Sequence, residues 1–244
     1  MRHAAPRSVI GGLLAILALA LPHMAAAQGR GGKTPANYAL PSDIIAQEIA
    51  FARLVEDKGQ WPAFRATAAH DAQMIAGNAV VDVQGWTRKQ PNPAAPLRWK
   101  THAVWMSCDG SYAVTYGGWQ AGTGVGPGAQ GWFSTVWARQ KRGDYKWVLD
   151  QGGTTAQPIP EPEWIDAQVA ECPVRPKRPL GAPPLPRDAA PPALTDHLSG
   201  EASDHTLAWT TRIAADGTRD FLLRIRVGTQ MQDVLQRKVA PTHP

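Results

Sequence analysis

The chain has 244 residues, 43% of them hydrophobic and 18% charged, and carries a formal net charge of +5. The basic excess is mild and spread along the chain, with no basic patch interleaved with aromatics, which argues against nucleic acid as a partner. The length suits one domain of about 120 to 150 residues plus additions.

The N-terminus reads as an export signal. Arg2 and Arg7 precede an apolar run from Val9 to Leu21 (VIGGLLAILALAL), and small residues stand at Ala25 and Ala27. About thirteen apolar residues are too few to span a bilayer, so cleavage after Ala27 is expected rather than a membrane anchor. No cysteine lies near the cut to take a lipid. Removing residues 1–27 leaves 244 − 27 = 217 residues, takes Arg2 and Arg7 and no acid, and lowers the net charge to 5 − 2 = +3. The expected location is periplasmic or secreted, with no membrane attachment once the signal is gone. In such an oxidising compartment the two cysteines, Cys108 and Cys172, read as a disulfide; two buried thiols are the alternative.

Residues 28–41 are Gly-rich and polar and form a flexible N-terminal segment. Ser42 then caps a helix with Asp43 in its first turn. Ile45, Ile49 and Ala52 recur at helical spacing, widened by Phe51, Leu54 and Val55, so the helix packs against something large. Gly59 ends it. Pro62 falls in the first turn of a second helix that runs to about Ala69, leaving His70 and Asp71 at its end. From there the period changes to two. AVVDV (Ala79 to Val83) is a short strand, Trp86 sits in a brief helical turn, and four strands follow: LRWKTHAVWMS, SYAVTYGGWQ, WFSTVWARQ and YKWVLDQG. Asp109-Gly110 turns the first of these into the second. The loop GTGVGPG leads into a strand rather than a helix, which removes it as a phosphate cradle. Eleven of the 22 prolines fall between Gln157 and Ala193, interrupted by one helical island near Glu163 to Glu171. The domain reading is therefore residues 42–156, a Pro-rich linker at 157–197 and an antiparallel meander at 198–244.

Three stretches carry a resemblance: EIAFARLVEDKGQWPAFRATAAHDAQMI (Glu48 to Ile75), VWMSCDGSYAVTYGGW (Val104 to Trp119) and FSTVWARQKRGDYKWVLDQG (Phe133 to Gly152). A helical hairpin followed by a curved antiparallel sheet resembles the nuclear transport factor 2-like superfamily, which includes ketosteroid isomerase and the SnoaL-like cyclases. The likeness is closer to its exported bacterial branch of uncharacterised proteins. What the resemblance implies is an α+β fold in which the sheet wraps the helices as a cone, with an apolar pocket plugged by the hairpin and a β-meander added at the C-terminus.

A pocket needs polar groups inside it to be a site. Four residues are candidates for chemistry: Asp82 and Asp150 as bases, His70 at the helix end, and Tyr116, with Tyr112 beside it, as a donor. The isomerases of the superfamily pair an Asp base with a Tyr donor in an apolar site. For ligand contact the candidates are Trp105, Trp119, Trp137 and His102. For each of these residues a structural or solvated role competes with the functional one. No HExxH, CxxC or GxSxG pattern occurs, and no metal or cofactor is expected. Three functions follow: a binder of a small apolar or aromatic molecule without catalysis, a cofactor-free isomerase, cyclase or dehydratase, or a homodimeric interaction module.

Overall fold

The computed structural model of the protein describes residues 39–122, 129–173 and 198–240. The expected signal peptide, most of the Pro-rich linker and the GTGVGPG loop lie outside the described residues.

Helix α1 (Pro41–Lys58) starts one residue before the serine expected to cap it. Leu40 is the N-cap and Pro41 occupies the first turn, where a missing N–H costs nothing. Gly59 then takes φ +87, a conformation that favours glycine, and its N–H closes on Val55 O. That single residue lets α2 (Gln60–Thr67) begin at once in a new direction. The hairpin buries Ile44, Phe51, Val55, Ala63 and Phe64.

A strand starts where the second helix was expected to continue. β1 (Ala68–Ala76) runs parallel to β6 (Tyr145–Thr154), pairing Ala68 with Trp147 and Met74 with Asp150. It turns at Gly77 into β2 (Ala79–Asp82). After α3 (Val83–Arg88) come β3 (Arg98–Met106), β4 (Tyr112–Gln120) and β5 (Gln130–Arg139), which with β6 make an antiparallel run. The segment expected to form a helical island is instead β7 (Asp166–Val169), parallel to β3 from Ala103 to Met106. Pairing with an open sheet edge outweighs the modest helical preference of so short a segment. Three residues beyond the strand, Cys172 is bonded to Cys108, which follows β3, so the disulfide holds this edge in register.

The expected cone is not what forms. The main sheet has the order β2-β1-β6-β5-β4-β3-β7, open, with β2 and β7 as separate edges. It neither closes nor curls around the helices. The reason lies in what covers it. Helices α1 and α2 pack on one face, through Phe51 and Phe64 against Trp99, Trp137 and Trp147. The other face meets a second sheet of four strands, β8 (Ser199–Glu201), β9 (Leu207–Ile213), β10 (Arg219–Val227) and β11 (Gln230–Val239), in simple antiparallel order. The result is a mixed α+β fold of three layers. Trp209, Phe221, Leu223 and Ile225 of the second sheet belong to the same buried cluster as Phe51 and Trp137. With both faces buried, an open sheet satisfies its apolar surface without wrapping.

Candidate functional site

Strand β6 carries the site. Its pairing with β1 stops at Asp150, so from Gln151 to Thr154 it is paired only with β5. Beside this half-paired end lies a cavity of about 300 Å³. Phe51 and Phe64 of the helices, Trp99, Trp119 and Phe133 of the sheet, Asp150, and Arg219 of β10 all line it. The rings meet edge to face, with Phe51 at 4.8 Å from Trp99 and Trp99 at 6.5 Å from Phe133, the arrangement aromatic quadrupoles prefer. Gly153 permits the close packing at this end, since a Cβ there would stand 2.7 Å from Trp132 Nε1.

Asp150 shares a cross-strand row with Thr135 and Thr115 on the helix-facing side of the sheet. Thr135 Oγ1 donates to its Oδ2 at 2.7 Å. Burial pushes the Asp150 carboxyl up to about 7; the Thr135 hydrogen bond works against that shift, and the neighbouring Glu48 adds to it. Glu48 itself projects from α1 into the core and is 4% exposed. Trp99 Nε1 donates to one of its oxygens at 2.9 Å, while Thr115 Oγ1 at 2.5 Å and Trp137 Nε1 at 3.1 Å donate to the other. Burial raises its proton affinity too, opposed by these three donors. Two carboxyls, Glu48 beside the groove between α1 and β3 and Asp150 at the cavity, thus share the space between helix and sheet.

The other expected site residues fall elsewhere. Asp82 caps α3, its Oδ2 accepting from Gly85 N. His70 stands exposed in β1 rather than at a helix end. Tyr116 lies on the opposite face from Asp150; its hydroxyl accepts from Arg237 Nη2, and the guanidinium sits 4.5 Å from its ring centre. Tyr112 is buried, with its hydroxyl pushed up to about 12. An Asp and a Tyr are therefore not brought together at the cavity. Of the tryptophans, Trp119 lines it and donates to Trp132 O, whereas Trp105 and Trp137 are packed in the core. His102 lines a separate groove of about 380 Å³ between α1 and β3, together with Glu161 and the exposed Trp164. Burial lowers its affinity for a proton, partly offset by Glu161. The expected disulfide between Cys108 and Cys172 is present. Among the described residues no group of three or more His, Cys, Asp or Glu side chains is placed to hold a metal ion, and no helix is long and apolar enough to cross a membrane.

Three residues central to this geometry were not singled out in the sequence: Glu48, Thr135 and Arg219. Glu48 had a visible signal. It falls on the buried stripe Ile44, Glu48, Phe51, Val55, where a carboxylate is out of place without partners.

No protein-family model and no curated protein matches the chain. Solved structures give distant, low-identity matches to the nuclear transport factor 2-like fold over about half of it. One is a nuclear transport factor 2-like protein with a cystatin-like fold from Novosphingobium aromaticivorans, 11% identical, covering 47% of this chain and 81% of that one with a TM-score of 0.38. A second is ActVI-ORFA from Streptomyces coelicolor, at 13% identity, 46% and 94% coverage and a TM-score of 0.35. A third is nuclear transport factor 2 from Cryptosporidium parvum, at 10% identity, 48% and 96% coverage and a TM-score of 0.34.

Proposed function

We propose that the protein binds a small aromatic or apolar molecule in the cavity beside β6, and that it does so outside the cytoplasm after loss of residues 1–27. The observation that carries the reading is the lining: five aromatic side chains around about 300 Å³, with a few polar groups among them. The volume is at the small end of ligand pockets, which favours a compact ligand. A disulfide in the folded chain is in keeping with an oxidising compartment. Trp99 and Trp119 supply the test. Titrating the protein with small aromatics should change their emission, and a Trp119→Phe variant should lose part of that response. Saturable changes that survive in a variant with a bulkier cavity lining, such as Ile75→Phe, would point to binding elsewhere.

A second reading rests on one group. A carboxyl that titrates near 7 at the edge of an apolar cavity has the proton affinity a general acid or base needs. In that reading Asp150 moves a proton on the bound molecule, Thr135 orients it, and Glu48 keeps its affinity for the proton high. Tyr116 takes no part. Asp150→Asn should then abolish turnover of any substrate found while leaving its binding within a few-fold. Equal turnover by the variant would remove Asp150 from the chemistry.

A further inference from the structure

Strand β10 alternates Arg219, Phe221, Leu223 and Ile225 on its buried face. An arginine therefore holds a position that the strand's own pattern assigns to an apolar side chain. Arg219 is 6% exposed. Its Nη2 donates to Gly152 O at 2.8 Å, which seats the guanidinium at the half-paired end of β6. Nε and Nη1 are buried and have no hydrogen-bond partner among the described residues. None of the ion pairs formed among the described residues includes it. A buried cation is ordinarily paired, because removing it from water without a counter-charge is costly. Arginine stays protonated even so.

The cavity supplies the context, for Arg219 lines it together with Gly152, Gly153 and Val239. Gln151, also lining it, has a buried amide nitrogen without a partner. The one carboxyl in the lining is Asp150, which is held by Thr135; its raised proton affinity comes from burial and Glu48, and Arg219 has no share in it. The lining is thus largely apolar, with one acid, Asp150, and one cation, Arg219, whose Nε and Nη1 have no partner among the described residues.

We propose that Arg219 seats an oxyanion, a carboxylate or phosphate, on the small aromatic molecule that the cavity binds. The inference rests on the binding reading above and deepens it: the ligand class becomes aromatic acids or aryl phosphates. Arg219 belongs to the second sheet, outside the half of the chain on which the helices and main sheet are built. This specificity is therefore a contribution of the C-terminal strands.

Calorimetric titration of the intact, disulfide-bonded chain with benzoate, phenyl phosphate and benzamide is the test. At least one of the two anions should bind tenfold or more tightly than neutral benzamide. Arg219→Gln should bring that anion down to the benzamide level, and Arg219→Lys should recover part of the difference. If benzoate alone is preferred, the seat is for a carboxylate; if phenyl phosphate alone, for a phosphate. Benzamide binding as well as both anions overturns the inference and leaves the cavity reading intact. An Arg219→Gln protein that binds the anion like wild type also overturns it. Failure of all three compounds to bind or to alter tryptophan emission sinks the cavity reading along with it. Should Arg219→Gln fail to fold, the comparison of anion with amide on the wild-type chain decides alone.

Discussion

Glu48 and Arg219 are both buried charges beside the same sheet, and the protein treats them in opposite ways. On the helix side, Glu48 collects three donors, from Trp99, Trp137 and Thr115, so its two oxygens are both engaged. On the side of the second sheet, Arg219 keeps one backbone carbonyl and leaves two nitrogens unused. A fully bonded buried group specifies a core, because each partner would be stranded without it. A partly bonded one is a standing cost that folding alone does not repay. The contrast separates a charge that organises the fold from one that awaits a ligand, and it can be broken by substitution.

The largest effect is expected at Glu48. Replacing it with leucine keeps much of the volume but strands the Trp99 indole N–H and leaves the Trp137 indole and the Thr115 hydroxyl only longer contacts, at 3.3 Å, to Thr115 Oγ1 and Thr135 O. At about 1 to 3 kcal/mol for each buried donor left unmade, the loss should reach about 4 to 5 kcal/mol. Urea unfolding followed by tryptophan emission would show it as a lower midpoint at unchanged slope. A loss under about 1 kcal/mol would mean that Glu48 is dispensable to the core.

Asp150 comes next, and its effect depends on pH. Its folded-state proton affinity is raised to about 7 from an ordinary 3.8. Between those values the folded state holds a proton that the unfolded state has lost, so stability falls as pH rises through the window. Below it the penalty vanishes, and above about 7 it is complete. At about 1.4 kcal/mol per unit over that span, the whole penalty is about 4 kcal/mol. Asp150→Asn keeps an acceptor for Thr135 and removes the charge. Its midpoint should therefore match wild type near pH 4 and exceed it at pH 8. Parallel curves across that range would show that the carboxyl does not titrate in the window.

Much of this arrangement was legible in the sequence, and the failures share a cause. The helical hairpin, the four central strands and the Cys108–Cys172 bond follow from local signals: Gly59, Pro62, period-two alternation, an even pair of cysteines. What local signals do not carry is pairing at a distance. Asp166 to Val169 is a strand only because β3 offers it an open edge, and His70 lies in β1 only because β6 runs alongside. The cone was expected because the first half was read without the second; the meander that covers the sheet's other face removes the need to wrap. Asp150 is among the candidate bases that the sequence offers. Glu48 and Arg219 were passed over although each breaks an apolar pattern, since a charge on a buried stripe reads as noise until its partners, or their absence, are seen.

Asp82 supplies a baseline among the carboxylates. It is exposed and caps α3 through Gly85 N. Asp82→Ala should cost about 1 kcal/mol, the usual worth of such a cap. A change in ligand binding on this substitution would mean that the site extends to the β2 edge.

The smallest stability effect, and the most informative, is expected at Arg219. Methionine fills a similar volume, costs Gly152 O its hydrogen bond and relieves the burial of an unpaired guanidinium. Breaking one neutral acceptor's bond is worth about 1 kcal/mol, and replacing a buried charge by an apolar side chain is often neutral or stabilising. The two changes oppose each other, so Arg219→Met should unfold within about 1 kcal/mol of wild type, in either direction. A residue that matters only for the fold would not behave this way. If the midpoint fell by about 3 kcal/mol or more, Arg219 would be as structural as Glu48, and the difference between the two sides of the sheet would disappear. If it holds while binding of an aromatic anion is lost, the arginine is kept for the ligand at no gain to the folded chain, as expected of a group whose partner arrives from outside.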